Sequence, residues 1–106
     1  MKLAVEQAKL AVDEQDNPFG AIIVKKGEVV ASAYSRVANE FDISRHAEIE
    51  VIRIACKKLK TFNLSGCVMY SKGEPCLMCL GAILWIKIAK VYFGNYVKDA
   101  KKLGFS

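Results

Sequence analysis

His46-Ala47-Glu48 and Pro75-Cys76-Leu77-Met78-Cys79 are the two stretches on which the reading of this chain turns. His46 is the only histidine among the 106 residues. One imidazole and two thiols, with a carboxylate close by, make the donor set of a zinc ion that keeps its fourth position open for water. The spacing of Cys76 and Cys79 puts both sulfurs within one helical turn, where each can reach the same ion at about 2.3 Å. One neutral imidazole and two thiolates balance the charge of the dication, and the metal lowers the pKa of its water toward about 7. Glu48 follows His46 by two residues and so does not share its direction. A carboxylate held near that water, but not on the metal, takes its proton and passes it on.

A Cys-x-x-Cys spacing alone also suits a redox pair, half of a structural zinc knuckle, or two core thiols. A redox pair leaves His-Ala-Glu without a role. A structural zinc needs a fourth ligand at ordinary spacing, which Cys56 and Cys67 do not offer. Those two cysteines are read as core residues.

Working outward, the spacing of Leu3, Ala4, Ala8, Ala11 and Val12 predicts an amphipathic helix over residues 2–15, stopped by Asp16-Asn17-Pro18. Phe19 to Lys25 and Glu28 to Tyr34 read as strands of a hairpin turning at Lys26-Gly27. Residues 35–43 read as polar and irregular. Ser44 is the expected N-cap of a helix from Arg45 to Leu59. A third strand is expected over Cys67 to Ser71, a helix over Cys76 to Ile86 that is apolar on more than one side, as a helix sandwiched against a sheet should be, and a fourth strand over Lys90 to Gly94. A last helix is expected from Val97 to Gly104. Strands separated by helices imply crossover connections, and thus a mixed sheet with helices on its faces. The motif residues then fall at two helix N-termini. Their combined field is expected to lower the cysteine pKa values and favour thiolates.

Composition bounds the rest. A chain of 106 residues, 53% of them hydrophobic, is expected to form one domain over 1–106 with a real core. The apolar run from Leu80 to Ile86 is too short to span a bilayer, so no membrane role is expected. The N-terminus shows no export signal, which favours a cytoplasmic location with reduced thiols. The net charge of +5 concentrates at Lys57, Lys58 and Lys60 and at Lys98, Lys101 and Lys102. Solvated helix ends account for such clusters more simply than a nucleic-acid footprint.

His-x-Glu followed by Pro-Cys-x-x-Cys is the pattern of zinc deaminases that act on nucleobases. With Pro18-Phe19-Gly20-Ala21, Glu74 before the Pro-Cys pair and Gly81-Ala82 after it, the chain resembles the cytidine-deaminase-like superfamily of zinc hydrolases from Pro18 onward. Met78-Cys79-Leu80-Gly81-Ala82-Ile83-Leu84-Trp85 and the tail from Lys98 to Phe105 are most similar to the bacterial guanine deaminase branch. The tRNA adenosine deaminase branch shares the zinc motifs and a Val-x-Phe-Gly stretch, here Val91 to Gly94.

The resemblance implies an α/β, three-layer α-β-α sandwich with a mixed central sheet, a resident zinc ion and hydrolytic deamination. The implied substrate is a purine base, guanine foremost. A tRNA adenosine deaminase is the second reading, and a zinc-binding relative of weak activity the third. It further implies His46, Cys76 and Cys79 as metal ligands and Glu48 as the proton shuttle. Phe19 would stack on the base, the Ala47 backbone would meet a polar edge, and Trp85 would wall the pocket. A homo-oligomer, most simply a dimer, is expected where missing family elements would leave helix faces and a sheet edge uncovered.

Three places in the chain depart from the family pattern. Ser35 stands where an asparagine usually binds substrate. Asp42-Ile43-Ser44-Arg45 replaces Asp-Pro-Thr-Ala. Gly73 replaces a cysteine or leucine. The chain is also expected to lack the family's last strand and helix.

Overall fold

The computed structural model describes residues 1–94; the helix expected from Val97 to Gly104 lies outside the described residues. Helix α1 spans Lys2–Asp13, strands β1 and β2 span Gly20–Lys25 and Glu28–Tyr34, and a short helix α2 spans Val37–Glu40. Helix α3 spans Ala47–Leu59, β3 Cys67–Ser71, α4 Leu77–Trp85 and β4 Lys90–Phe93. The strand order is β2-β1-β3-β4. β1 pairs antiparallel with β2 and β3, whereas β3 and β4 run parallel and are joined by α4 as the crossover. The expected mixed sheet is therefore present.

Alternation along β1 assigns the two faces. Ala21 and Ile23 enter the main core with Met69 from β3 and Val51, Ile52 and Ala55 from α3. Gly20 faces α1, whose Ala4, Ala8 and Ala11 are buried. A Cβ at Gly20 would run into the Ala4 carbonyl and the Ala8 nitrogen. This glycine is what lets α1 approach the sheet so closely, and small residues on α1 complete the fit.

The sheet also sets where the site lies. Gly20 pairs with Tyr34 at the end of β2, and Ala21 pairs with Ser71 at the end of β3. The carboxyl ends of β2 and β3 thus meet at one edge of the molecule. From there the chain passes into α3 and α4, so both helices begin beside each other. This is the edge at which open α/β sheets place their sites.

Three local expectations need correction. Residues 35–43 contain α2 rather than wholly irregular chain. Arg36 holds that turn by ion pairs to Glu40 at 2.9 Å and Glu14 at 3.3 Å. The N-cap of α3 is His46, not Ser44. The Ser44 hydroxyl and amide both donate to Asp42 Oδ1, so Asp42 draws Ser44 into the preceding turn. Finally, α4 is not covered on both sides: only Cys79 and Ile83 are buried, while Leu77, Leu84 and Trp85 are exposed.

Candidate metal centre and substrate pocket

His46 and Cys76 are themselves the N-cap residues of α3 and α4, both with extended backbone. An N-cap side chain lies at the mouth of its helix, so the two caps face each other across the joint strand ends. Cys79, one turn into α4, comes in from beneath and is fully buried. The His46 Nδ1 atom lies 3.6 Å from Cys76 Sγ and 3.7 Å from Cys79 Sγ, and the two sulfurs are 3.5 Å apart.

These lengths test the fit of a metal. Tetrahedral zinc with Zn–S of about 2.3 Å and Zn–N of about 2.1 Å requires edges of about 3.8 Å between sulfurs and about 3.6 Å between sulfur and nitrogen. The observed triangle is one face of that tetrahedron to within a few tenths of an ångström. No other group of three metal-binding side chains occurs among the described residues. The donors fit zinc, and their number leaves a fourth position for a small ligand.

Glu48 is the second residue of α3, in its first turn, and is 6% exposed. Burial holds its carboxyl above the usual carboxylate range, offset in part by its own backbone N–H and by Cys79. The thiol of Cys79 does not follow the expectation of a lowered pKa. Burial pushes it up, and the negative charge of Glu48 and the neighbouring Cys76 push it further. The helix field is outweighed by desolvation and by two acidic neighbours. In the metal-free chain the site therefore stores protons, and metal must displace them. Zinc loading is expected to release protons into a weakly buffered solution, with affinity falling as pH is lowered from 8 to 6. Calorimetry in buffers of different ionisation enthalpy measures that release.

A cavity of about 150 Å³ opens beside these groups. Phe19, Ser35, His46, Ala47, Glu48 and Cys76 all line it, together with Asn17, Val37, Gly73 and Glu74. That volume encloses about one aromatic ring. Of the residues expected around a substrate, Phe19, Ala47 and Ser35 are thus brought together. Trp85 is not: it is 84% exposed and lies outside the lining. By the 3.6-residue period it sits about 120° around α4 from Cys79 and about 160° from Ile83, the two buried residues.

Two lining features escape motif reading. Gly73 has φ +116°, and a Cβ there would fall 2.9 Å from the Phe19 ring. The departure from the family's larger residue is what leaves room for Phe19 in its observed place. The Ser71 hydroxyl donates to the Gly73 carbonyl at 3.0 Å and fixes this bend. Behind two other lining residues, Asn17 and Ser35, lies Asp16, 8% exposed. Its Oδ1 accepts from the Ser35 hydroxyl and the Asn17 amide, each at 2.8 Å. Its Oδ2 accepts from the Asn39 backbone and side chain, each at 2.9 Å. The sequence showed Asp16 only as a helix stop.

Asp16 stays ionised readily. Burial acts to raise its pKa, but donors from Asn39, Asn17, Ser35 and Ala38 together carry it below the ordinary value. Its stabilisation is therefore present above about pH 4 and lost as pH falls through the lowered pKa. Asp16→Ala strands the Ser35 and Asn39 donors and is expected to cost about 2–3 kcal/mol. The loss of stability should be smaller at pH 3 than at pH 7. Chemical denaturation at the two pH values checks both statements.

The sequence profile of the cytidine and deoxycytidylate deaminase zinc-binding region matches residues 1–95. The chain belongs to this zinc-binding deaminase family. Among curated relatives, the family member is 43% identical over 88 residues to the guanine deaminase of Bacillus subtilis, covering 83% of this chain and 56% of the relative. It is 42% identical over 93 residues to the tRNA-specific adenosine deaminase of Aquifex aeolicus, covering 88% and 62%. It thus spans about three-fifths of the length of these relatives. The X-ray structure of the Bacillus subtilis guanine deaminase superposes with a TM-score of 0.92 at 40% identity, over 99% of this chain and 68% of that one. A tRNA:A34 deaminase structure superposes at 0.87 and 38% identity, over 91% and 74%. The cytidine-deaminase-like fold and the zinc assignment expected of the sequence are borne out. No helix among the described residues is long and apolar enough to cross a membrane.

Proposed function

We propose that this chain carries a hydrolytic deaminase centre that replaces the exocyclic amino group of a purine base, with guanine converted to xanthine and ammonia. The reading rests on one observation: the His46, Cys76 and Cys79 triangle opens beside buried Glu48 at a cavity that admits the reacting ring of a base. Zinc held by the three donors supplies Lewis acidity and a water of lowered pKa. With the metal bound, Glu48 would carry one proton of the water to the ring nitrogen, which keeps it, and the second to the amino group, which departs as ammonia. Burial raises the Glu48 pKa above the ordinary carboxylate value, which suits a group that must both accept and give a proton. Phe19 packs on the face of the base, and the first-turn amides of α3, Ala47 among them, meet a polar edge. Burial of Glu48 and Cys79 keeps bulk water from the proton path.

The relatives divide between free-base and tRNA substrates at nearly equal identity. The small cavity and the absence of a dense basic rim among the lining residues support the free base. The deciding experiment is ammonia release from zinc-loaded protein across guanine, adenine, cytosine, their nucleosides and a tRNA anticodon stem-loop. Turnover confined to the stem-loop, with steep salt dependence, would replace guanine by a tRNA adenosine.

The exposed face of α4, with Leu77, Leu84 and Trp85, supports a homodimer as the working form, since patches of this kind mark interfaces. Sedimentation equilibrium tests it. The reduced thiols that the metal requires accord with a cytoplasmic setting.

A further inference from the structure

We infer that Asn17 reads the substrate: its carboxamide supplies the paired donor and acceptor that Ser35 cannot. The inference rests on the deaminase reading above and deepens it toward specificity.

The argument is a census of hydrogen-bonding capacity around the cavity. His46 and Cys76 belong to the metal triangle, and Glu48 is the proton carrier. Ser35 lines the wall but its hydroxyl is committed. It donates to Asp16 Oδ1 at 2.8 Å, and its oxygen receives the Val37 amide at 3.5 Å. A hydroxyl has one proton. A proton given to a buried carboxylate is not available to a ligand, because a charge-assisted bond is the stronger of the two. At that wall Ser35 offers a remaining lone pair and no donor.

Asn17 lines the same cavity and is half-buried. Its backbone is fully engaged: the amide donates to Asp16 Oδ1 at 2.8 Å and the carbonyl accepts from the Phe19 amide at 2.8 Å. Its side-chain carboxamide makes no hydrogen bond among the described residues. A half-buried amide with both ends unused is costly unless water or a ligand meets it. The rigid backbone bonds fix where it stands, next to Phe19, the expected stacking ring. Asp16 thus has two effects at once. It turns the Ser35 proton away from the pocket and anchors the residue whose amide replaces it. A carboxamide complements a ring edge that presents a carbonyl next to an N–H, as a lactam does.

The test uses the zinc-loaded full chain and two ligands sharing a 2-amino group. Guanine has the lactam edge; 2-aminopurine lacks both its carbonyl and its N–H. Asn17→Ala keeps both backbone bonds and should fold and hold zinc as the parent does. Binding by equilibrium dialysis and turnover by ammonia release are both read. The expected result is that the parent prefers guanine by at least about tenfold, and that Asn17→Ala loses most of this preference. The loss should appear in KM, with kcat changed little. Asn17→Asp, an acceptor without a donor, should weaken guanine further.

If the parent turns over guanine but Asn17→Ala keeps the same preference, the role of Asn17 is overturned while the deaminase reading stands. A parent that neither binds nor turns over any base would overturn both.

Discussion

Glu48→Gln is expected to keep zinc at one per chain while ammonia release falls by about 10²–10⁴-fold, the usual contribution of a positioned acid–base group. Glutamine matches glutamate in size and keeps an oxygen near Cys79, so the triangle has no reason to open. It cannot carry a proton. Metal analysis beside steady-state assays separates the two effects, and wild-type turnover in this variant would remove Glu48 from the proton path.

The substitution has a second consequence in the chelated protein. Burial raises the Glu48 pKa in the folded chain above its ordinary value. Between those two values the folded chain holds a proton that the unfolded chain has released. Folding is then favoured at low pH, and the advantage is lost as pH rises through the raised pKa. The metal-free parent should therefore gain thermal stability as pH falls from 7 toward 5. Glu48→Gln, which never charges, should lose that dependence and melt higher than the parent at pH 7. Melting curves of both chelated proteins at the two pH values decide it.

Cys79→Ala is expected to abolish stoichiometric zinc binding and activity together. The sulfur is fully buried and supplies the inner vertex of the triangle. Without it, His46 and the exposed Cys76 hold an ion from one side only. Losing even an outer partner of a metal ligand lowers affinity by about 10–100-fold, and losing the ligand itself should exceed this. The parent should gain about 2.7 kcal/mol of stability at a zinc concentration a hundred times its Kd. The variant should gain none at the same concentration. Equal stabilisation of both would mean that the metal sits elsewhere. Removing a fully buried sulfur also leaves a small cavity, so the metal-free variant should fold but melt somewhat below the metal-free parent.

The exposed face of α4 bears on how the described fold is stabilised. Its main cluster draws on β1, β2, β3, α3 and only one side of α4. Leu77, Leu84 and Trp85 are left on the surface, as is Phe62 before β3. Covering them by a second subunit would add apolar burial at about 25 cal/mol per Å². Trp85→Ser should then shift a dimer toward monomer without loss of zinc.

Much of the site was legible along the chain, because metal ligation demands fixed residue types at fixed spacing. His46, Cys76 and Cys79 converge as that spacing implied, and the hairpin, α1, β3 and β4 lie within two residues or so of their expected bounds. The elements have strong local causes: alternating β-branched residues, apolar positions at helical period, and a Lys26-Gly27 turn with both residues at positive φ. Misses came where a side chain bonds to a partner that element periodicity does not point to. Ser44 answers to Asp42 instead of capping α3, and Arg36 gathers α2 through Glu14, twenty-two residues away. The Cys79 thiol was misjudged because a helix field can be read from position, whereas burial and the charge of Glu48 cannot.

By itself, then, the sequence determined the donors, the carboxylate beside them and the alternation that builds a mixed sheet, since all three are properties of residue type and period. Only the tertiary structure decided what the pocket presents to a substrate. Asp16 claims the Ser35 proton across nineteen residues, Gly73 yields its side-chain space to Phe19, and Trp85 turns outward on α4. Hydrogen bonding and packing are settled by which groups meet in space, and at this wall the groups that meet come from separate elements.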